Sequence, residues 1–323
     1  MESTGVLYGY SQIFDMKHSI IQPMKILLFG CSGQVGWELQ RSLAPLGEVV
    51  AFDKSAAPHG CDIGKLAELA CMLDAVQPTV IVNAAAYTAV DHAESDIDTA
   101  HMINALAPAV MARWAAQTGA LLVHYSTDYV FDGSGQRPWT ESSATNPINV
   151  YGQTKLAGEQ QIHASGCRYL IFRSSWVYAA RGLNFAKSML RLAQEREALN
   201  VINDQFGAPT GADLLADVTA HAIRQVQSNP NDGGLYHLAA SGQTTWYDYA
   251  KYVMDQSKQV QTSPKLMLKN INPVSSAEFA TAAKRPHNSR LNTDKLQRVF
   301  DLELPPWQLG VKRMLIELNP ERT

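Results

Sequence analysis

The 323-residue sequence contains no run of about 18 apolar residues, which excludes a membrane-spanning helix. It has no long block of one charge sign. With 27 Lys and Arg against 30 Asp and Glu, the net charge of −3 offers no basic field to nucleic acid or to an anionic membrane. Cysteine is scarce, and Cys31, Cys61, Cys71 and Cys167 form neither a C-x-x-C pair nor a metal-ligand spacing. Reduced thiols in a cytoplasmic protein are therefore expected in place of a disulfide framework. Residues 1–23 lack the basic and continuous apolar regions of a secretory signal and are expected to be a disordered leader, with the fold starting at Met24. Internal repeats and low-complexity tracts are also missing. These exclusions leave an ordinary globular chain whose partner is a small molecule.

What is present is an alternation. Short apolar runs, KILLFG at 25–30, EVVAFD at 48–53, TVIVNAA at 79–85, LLVHYST at 121–127 and RYLIFRSSW at 168–176, have the unbroken hydrophobicity of strands buried on both faces. Stretches with helical spacing separate them, such as Trp37, Leu39, Leu43 and Leu46, or Met102, Leu106, Val110 and Trp114. Strand, helix and strand in repetition predict an α/β fold with a doubly wound parallel sheet of the Rossmann type over residues 24–180. After about residue 180 the alternation loosens into Pro, Gly and Asn-rich segments at 207–213, 228–234 and 284–290. Residues 181–323 are expected to form mainly a smaller substrate-binding lobe, with some segments returning to the first domain.

The first strand leads into Gly30-Cys31-Ser32-Gly33-Gln34-Val35-Gly36 and then into a helix. Glycines there allow a tight turn and close backbone approach, while the helix N-terminus presents free N–H groups and a positive dipole to a pyrophosphate. Asp53 ends the second strand, where a carboxylate can accept hydrogen bonds from the adenosine ribose and repel a 2′-phosphate, unless it serves only as a turn or helix-cap residue. Lys54, beside it, offers a cation to that same phosphate, so the choice between NADH and NADPH stays open. Asn83-Ala84-Ala85-Ala86 closes the third run with side chains small enough for a flat cofactor to lie on the backbone.

The fourth run ends in the hydroxyls Ser126 and Thr127, and Tyr151 follows with Lys155 four residues later. On one helix face, the ammonium is expected to lower the phenol's pKa and to reach the nicotinamide ribose. Such a phenol can protonate a carbonyl oxygen as hydride reaches its carbon, with a neighbouring hydroxyl orienting that oxygen. Spacing alone does not select this pair, because Tyr247 and Lys251 repeat it. The order glycine loop, hydroxyl strand end, Tyr-x-x-x-Lys helix does. The residues themselves do not choose between Ser126 and Thr127.

The motifs ILLFGCSGQVGWELQ, VNAAAYTAVDHAE, STDYVFDG, NVYGQTKLAGE, FRSSWVYA, VINDQFGAPTGADLLAD and SRLNTDK resemble the dTDP-4-dehydrorhamnose reductase family, which are extended short-chain dehydrogenases. The resemblance implies reduction of the 4-keto group of dTDP-6-deoxy-L-lyxo-4-hexulose to dTDP-L-rhamnose for cell-surface polysaccharide, by a cytoplasmic homodimer using NADPH or NADH. It makes Tyr151, Lys155 and Thr127 the catalytic group. The cofactor contacts it implies are Gly30, Gly33, Gln34, Val35, Gly36, Asp53, Lys54, Asp62, Ile63, Ala84, Ala85, Ala86, Tyr87 and Thr88, with Tyr151 and Lys155. For the dTDP-sugar it implies Ser126, Thr127, Asp128, Trp176, Asn184, Gln205 and Arg290, and for Mg²⁺ it implies Glu38, Asp213 and Glu317. Asp128 is followed by Tyr129, where the related dehydratases carry a second acid, so reduction is expected and dehydration is not. Two rival readings stand beside this one: an epimerase that regenerates its bound NAD, and a partner protein that binds a dinucleotide without catalysis.

Overall fold

Five of the apolar runs become parallel strands of a single sheet, since a strand covered on both faces has no polar side to present. The computed structural model describes residues 24–54, 60–260, 266–279 and 281–319, and the expected leader at 1–23 lies outside them. The strands are β1 (Met24–Phe29), β2 (Gly47–Phe52), β3 (Val80–Asn83), β4 (Leu121–Thr127) and β5 (Arg168–Ser174), and a sixth, Gly234–His237, pairs with β5. Across the sheet the order is Gly234–His237, β5, β4, β3, β1, β2. After β1 the chain moves one way to β2 and then back past β1 to β3. That reversal opens a crevice at the carboxyl ends of β1 and β3, the usual place for a ligand in an open parallel sheet.

The helices are α1 (Gln34–Leu43), α2 (Leu66–Val76), α3 (Val90–Ala93), α4 (Ile97–His101), α5 (Ala107–Thr118), α6 (Val150–Ala164), α7 (Phe185–Glu195), α8 (Ala212–Ser228), α9 (Trp246–Val260), α10 (Asp294–Phe300) and α11 (Trp307–Glu317). On one sheet face α1, α8 and α10 bury Leu39, Leu43, Leu215, Ile223, Leu296 and Phe300 against Ile26, Leu28, Val82, Val123 and Phe172. On the other, α2, α5 and α6 bury Leu69, Leu73, Met111 and Ile162 against Leu27, Phe29, Ile81, Leu122 and Ile171. A further core joins α7, α9 and α11 through Leu190, Tyr249, Val253, Trp307, Val311 and Leu315. Short ladders tie that part together: Ala198–Ile202 runs parallel to Asn270–Val274, and Phe206–Gly207 runs antiparallel to Thr244–Thr245. The four cysteines are free thiols. No helix among the described residues is long and apolar enough to cross a membrane.

Candidate active site

The turn between β1 and α1 is shaped by glycine. Gly30 has a φ of +80°, and a Cβ there would stand 2.7 Å from the Ala85 nitrogen, so only glycine lets the two strand ends come this close. A Cβ on Gly36 would meet the Gly30 carbonyl oxygen at 2.0 Å. Gly36 thus packs helix against turn and does not line the crevice. Helix α1 begins after Gly33 with no side chain capping its free N–H groups. Space for a flat ligand on the backbone, beside uncapped helix donors, is what a dinucleotide pyrophosphate requires. The residues therefore fit the nicotinamide cofactor that the sequence implies.

One cleft of about 710 Å³ extends from this turn. Gly30, Gly33, Gln34, Val35, Asp53, Lys54, Asp62, Ile63, Ala84, Ala85, Ala86 and Thr88 all line it. At its outer end Asp53 Oδ1 accepts the Lys54 backbone N–H at 2.6 Å, and Lys54 Nζ lies 3.3 Å from Asp62 Oδ2. Tyr87 is turned away. Its backbone N–H donates to Asn104 Oδ1 at 2.9 Å, and its hydroxyl contacts His92 and Asp96.

At the inner end of the same cleft stand Ser126, Thr127, Asp128, Tyr151 and Lys155. Asn149 caps α6 by accepting the Gly152 N–H at 2.7 Å, which fixes where Tyr151 starts the helix. The two hydroxyls differ in their partners. Ser126 Oγ donates to Glu159, itself held by Arg173 in a buried bidentate pair of 2.9 and 2.5 Å. Thr127 Oγ1 faces the cleft, donating to Asp128 Oδ1 at 3.2 Å and bonding the Tyr151 phenol. Thr127 also accepts the Tyr129 N–H, which anchors it.

The electrostatics differ from the expectation for this pair. Burial pushes the Tyr151 phenol up to about 12, the Thr127 bond opposes the rise, and Asp128 adds to it. Lys155 does not offset this, because its amine is engaged elsewhere: it donates to the Tyr125 carbonyl oxygen at 2.5 Å and lies 3.2 Å from His124 Nε2. Burial brings the lysine down to about 8 against the opposing pull of Glu159. Asp128 is pushed up to about 7 by burial, with bonds to Ser289 and Thr127 opposing, and its Oδ2 is buried without a partner.

Of the expected sugar contacts beyond β4, Trp176 lines the cleft, at a φ of +50°. Its indole stacks on Trp246 and rests on Gly207, where a Cβ would approach to 2.6 Å. Trp246 also lines the cleft, and reasoning from the sequence did not find it, although it sits in TTWYDYAKY beside the decoy tyrosine. Tyr247 and Lys251 only face each other in a cation–π contact of 5.1 Å. Gln205, Asn184 and Arg290 are not among the residues that line the cleft. Gln205 Oε1 accepts the Trp246 indole N–H at 3.2 Å. Asn184 caps α7 through Lys187 N–H and donates to Gln34 Oε1 at 3.2 Å, linking that helix to the glycine loop. Arg290 lies over the Phe206 ring and donates to Asn288 Oδ1 at 2.8 Å.

Glu38, Asp213 and Glu317 do converge, around a cavity of about 20 Å³. Arg313 shares that cavity and pairs with Asp213 at 3.4 Å and Glu317 at 3.3 Å, while Arg41 pairs with Glu38 at 3.4 Å. The carboxylates are thus met by guanidinium groups. Among the described residues, no three His, Cys, Asp or Glu side chains form a group able to hold a metal ion. The expected Mg²⁺ does not fit this arrangement.

The sequence matches the family described as RmlD substrate binding domain over residues 24–319. It is 56% identical over 295 residues to the dTDP-4-dehydrorhamnose reductase of Escherichia coli (strain K12), covering 91% of this chain and 98% of the relative. The fold superimposes on the crystal structure of dTDP-4-dehydrorhamnose reductase from Bacillus anthracis str. Ames in complex with NADP, with a TM-score of 0.81 and 34% identity, covering 91% of this chain and 99% of that one. A UDP-glucose 4-epimerase of Thermus thermophilus in complex with NAD shares the fold alone, with a TM-score of 0.76 at 16% identity over 92% of this chain and 99% of that one. Matched in sequence along almost all of the described fold, this chain belongs to the dTDP-4-dehydrorhamnose reductase family.

Proposed function

We propose that the protein reduces the 4-keto group of dTDP-6-deoxy-L-lyxo-4-hexulose to give dTDP-L-rhamnose, with NADPH or NADH as reductant. The observation that carries this reading is the meeting of Thr127, Tyr151 and Lys155 in the same cleft as the glycine turn and α1. Gly30, Gly33 and the start of α1 would hold the pyrophosphate, Asp53 and Lys54 the adenosine ribose, and Lys155 the nicotinamide ribose. When bound, the nicotinamide supplies hydride. Thr127 orients the C4 oxygen of the sugar by donating a hydrogen bond, and Tyr151 gives that oxygen its phenolic proton as negative charge develops there. A phenol raised to about 12 keeps its proton across the physiological range, so Tyr151 waits as an acid and not as a phenolate. Lys155, as a cation, stabilises the phenolate left behind.

Trp176 and Trp246 would form the wall against which the dTDP-sugar lies, with Asp128 at its reacting end. The same reading has the enzyme act in the cytoplasm as a homodimer, and its product donate rhamnose to cell-surface polysaccharide; sedimentation of the purified protein tests the dimer. The activity is tested by mixing the protein with dTDP-6-deoxy-L-lyxo-4-hexulose and NADPH. Coenzyme oxidised in equal amount to dTDP-rhamnose formed is the expected result. Coenzyme left reduced while the sugar is epimerised would replace this reading with an epimerase, and no turnover of either would overturn it.

A further inference from the structure

Behind Lys155 lies a buried chain of hydrogen bonds that the reaction does not require for contact with substrate. The Ala85 N–H donates to Asn83 Oδ1 at 3.2 Å, Asn83 Nδ2 meets His124 Nδ1 at 3.2 Å, and His124 Nε2 meets Lys155 Nζ at 3.2 Å. Asn83 and His124 are each 1% exposed and Lys155 is 2% exposed. With these side chains nearly closed to solvent, the placement of protons along the chain follows from donor and acceptor chemistry.

The backbone N–H of Ala85 can only donate, which makes the facing Asn83 atom its oxygen and turns the amide NH₂ toward His124. The amide can only donate in its turn, so His124 Nδ1 accepts and carries no proton. The ring is then neutral with its single proton on Nε2, directed at Lys155 Nζ. An amine lone pair can accept that proton, but an ammonium cannot. Protonating Lys155 forces the ring into its other tautomer and sets two N–H groups against each other at Asn83, so one buried hydrogen bond is lost.

We propose that Asn83 and His124 are positioning residues that fix the tautomer of the imidazole and thereby bias Lys155 toward its neutral amine, setting the upper pH limit of the reaction. The other ionisable groups around the pair are Tyr151 and Glu159 on α6, Arg173 on β5 and Asp128 after β4. Glu159 is paired with Arg173, which weakens its pull on Lys155, and Asp128 lies at the Thr127 end. The imidazole itself is held well below its ordinary range by burial and then by Lys155, in keeping with a neutral ring.

Two measurements test this, and only the second rests on the reductase reading. The first is the ¹⁵N spectrum of the histidine side chains in the protein without ligands, with the His124 signals identified by their loss in His124→Gln. Recorded above the Lys155 value of about 8, where the amine is neutral, the spectrum is expected to show Nε2 protonated and Nδ1 bare, and the reverse pattern there overturns the proposal, whatever the enzyme's substrate. The second is the pH profile of kcat. In His124→Gln the amide can turn its oxygen to Nζ, so Lys155 holds its proton longer and the alkaline limb moves up by about one pH unit, tenfold in proton affinity, the equivalent of one hydrogen bond. A limb at the wild-type pH, with only KM or kcat changed, reduces His124 to a packing residue. Should His124→Gln not fold, the other eight histidine-to-glutamine changes assign the wild-type spectrum by elimination, and the tautomer decides the matter.

Discussion

The indole of Trp246 lies face to face on that of Trp176, with ring centroids 3.6 Å apart and planes 14° apart, while Gln205 holds its N–H at 3.2 Å. One ring comes from the strand end after β5 and the other from the start of α9, so the stack joins two distant parts of the chain across the cleft wall. An aromatic pair of this kind is worth roughly 1 kcal/mol beyond its buried area. Trp246→Ala should therefore raise KM for the sugar nucleotide about fivefold or more. Coenzyme affinity, read by fluorescence titration, should stay unchanged, because the glycine turn is built from other residues. Equal losses for both ligands would mean that the stack supports the whole cleft.

Tyr151→Phe should lower kcat by at least about 10²-fold, the lower range for a positioned acid, while leaving coenzyme affinity close to wild type. Tyr247→Phe has the same spacing to a lysine but no place in the cleft, and should leave kcat alone. Stopped-flow or steady-state assays of the two variants check this directly. A Tyr151→Phe enzyme with more than about a tenth of the wild-type kcat would remove the phenol from its assigned role.

Coenzyme choice should be loose. Asp53 favours an unphosphorylated ribose, whereas Lys54, now paired with Asp62 at 3.3 Å and mostly exposed, can swing to a 2′-phosphate. An exposed ion pair contributes roughly 1 kcal/mol or less, about fivefold, so kcat/KM for NADH and NADPH should agree within about tenfold. Lys54→Ala should lower NADPH use and spare NADH. A hundredfold preference in the wild-type enzyme would mean that one residue governs this end of the cleft.

Asp128 should make stability pH-dependent. Its carboxyl is raised from 3.8 to about 7 by burial, so the native protein prefers the protonated form and the unfolded chain the ionised one. The stabilisation is complete below about 4 and is lost as pH climbs through 7, with an upper bound of roughly 4 kcal/mol. Asp128→Asn is uncharged throughout and lacks this dependence. Urea unfolding at pH 5 and pH 8 should show wild type losing stability relative to Asp128→Asn, whereas a constant gap between the two would mean that Asp128 is ionised at both pH values.

The sheet and the cofactor turn were legible because each rests on local rules: unbroken apolar runs for β1 to β5, and glycines between a strand and a helix. The strand Gly234–His237 was not, being four residues long behind a Gly-rich segment, with nothing local to separate it from a loop. Residue chemistry placed hydroxyls at the end of β4, and both line the cleft, but only the structure shows that Ser126 is bonded to Glu159 and Thr127 to Tyr151. Trp246 escaped for a similar reason, since a tryptophan in an aromatic helix reads as packing until its neighbours are known. Asn184 and Gln205 each bond a residue that lines the cleft, Gln34 and Trp246, a contact that exists only in three dimensions.

The strand Gly234–His237 and helix α8 complete the sheet and its cover, although both follow α7, which packs in the core shared with α9 and α11. The segments that cover the sheet are therefore interleaved along the chain with those that build the core of α7, α9 and α11. A single crossover between relatives anywhere from 179 to 233 would give β5 an edge partner from one parent and its sheet from another, breaking a matched interface each time. Exchange of everything after β5 as one piece would carry an edge strand of the sheet with it. Substitution at wall positions such as Trp176 and Trp246 reshapes the cleft and leaves the sheet whole.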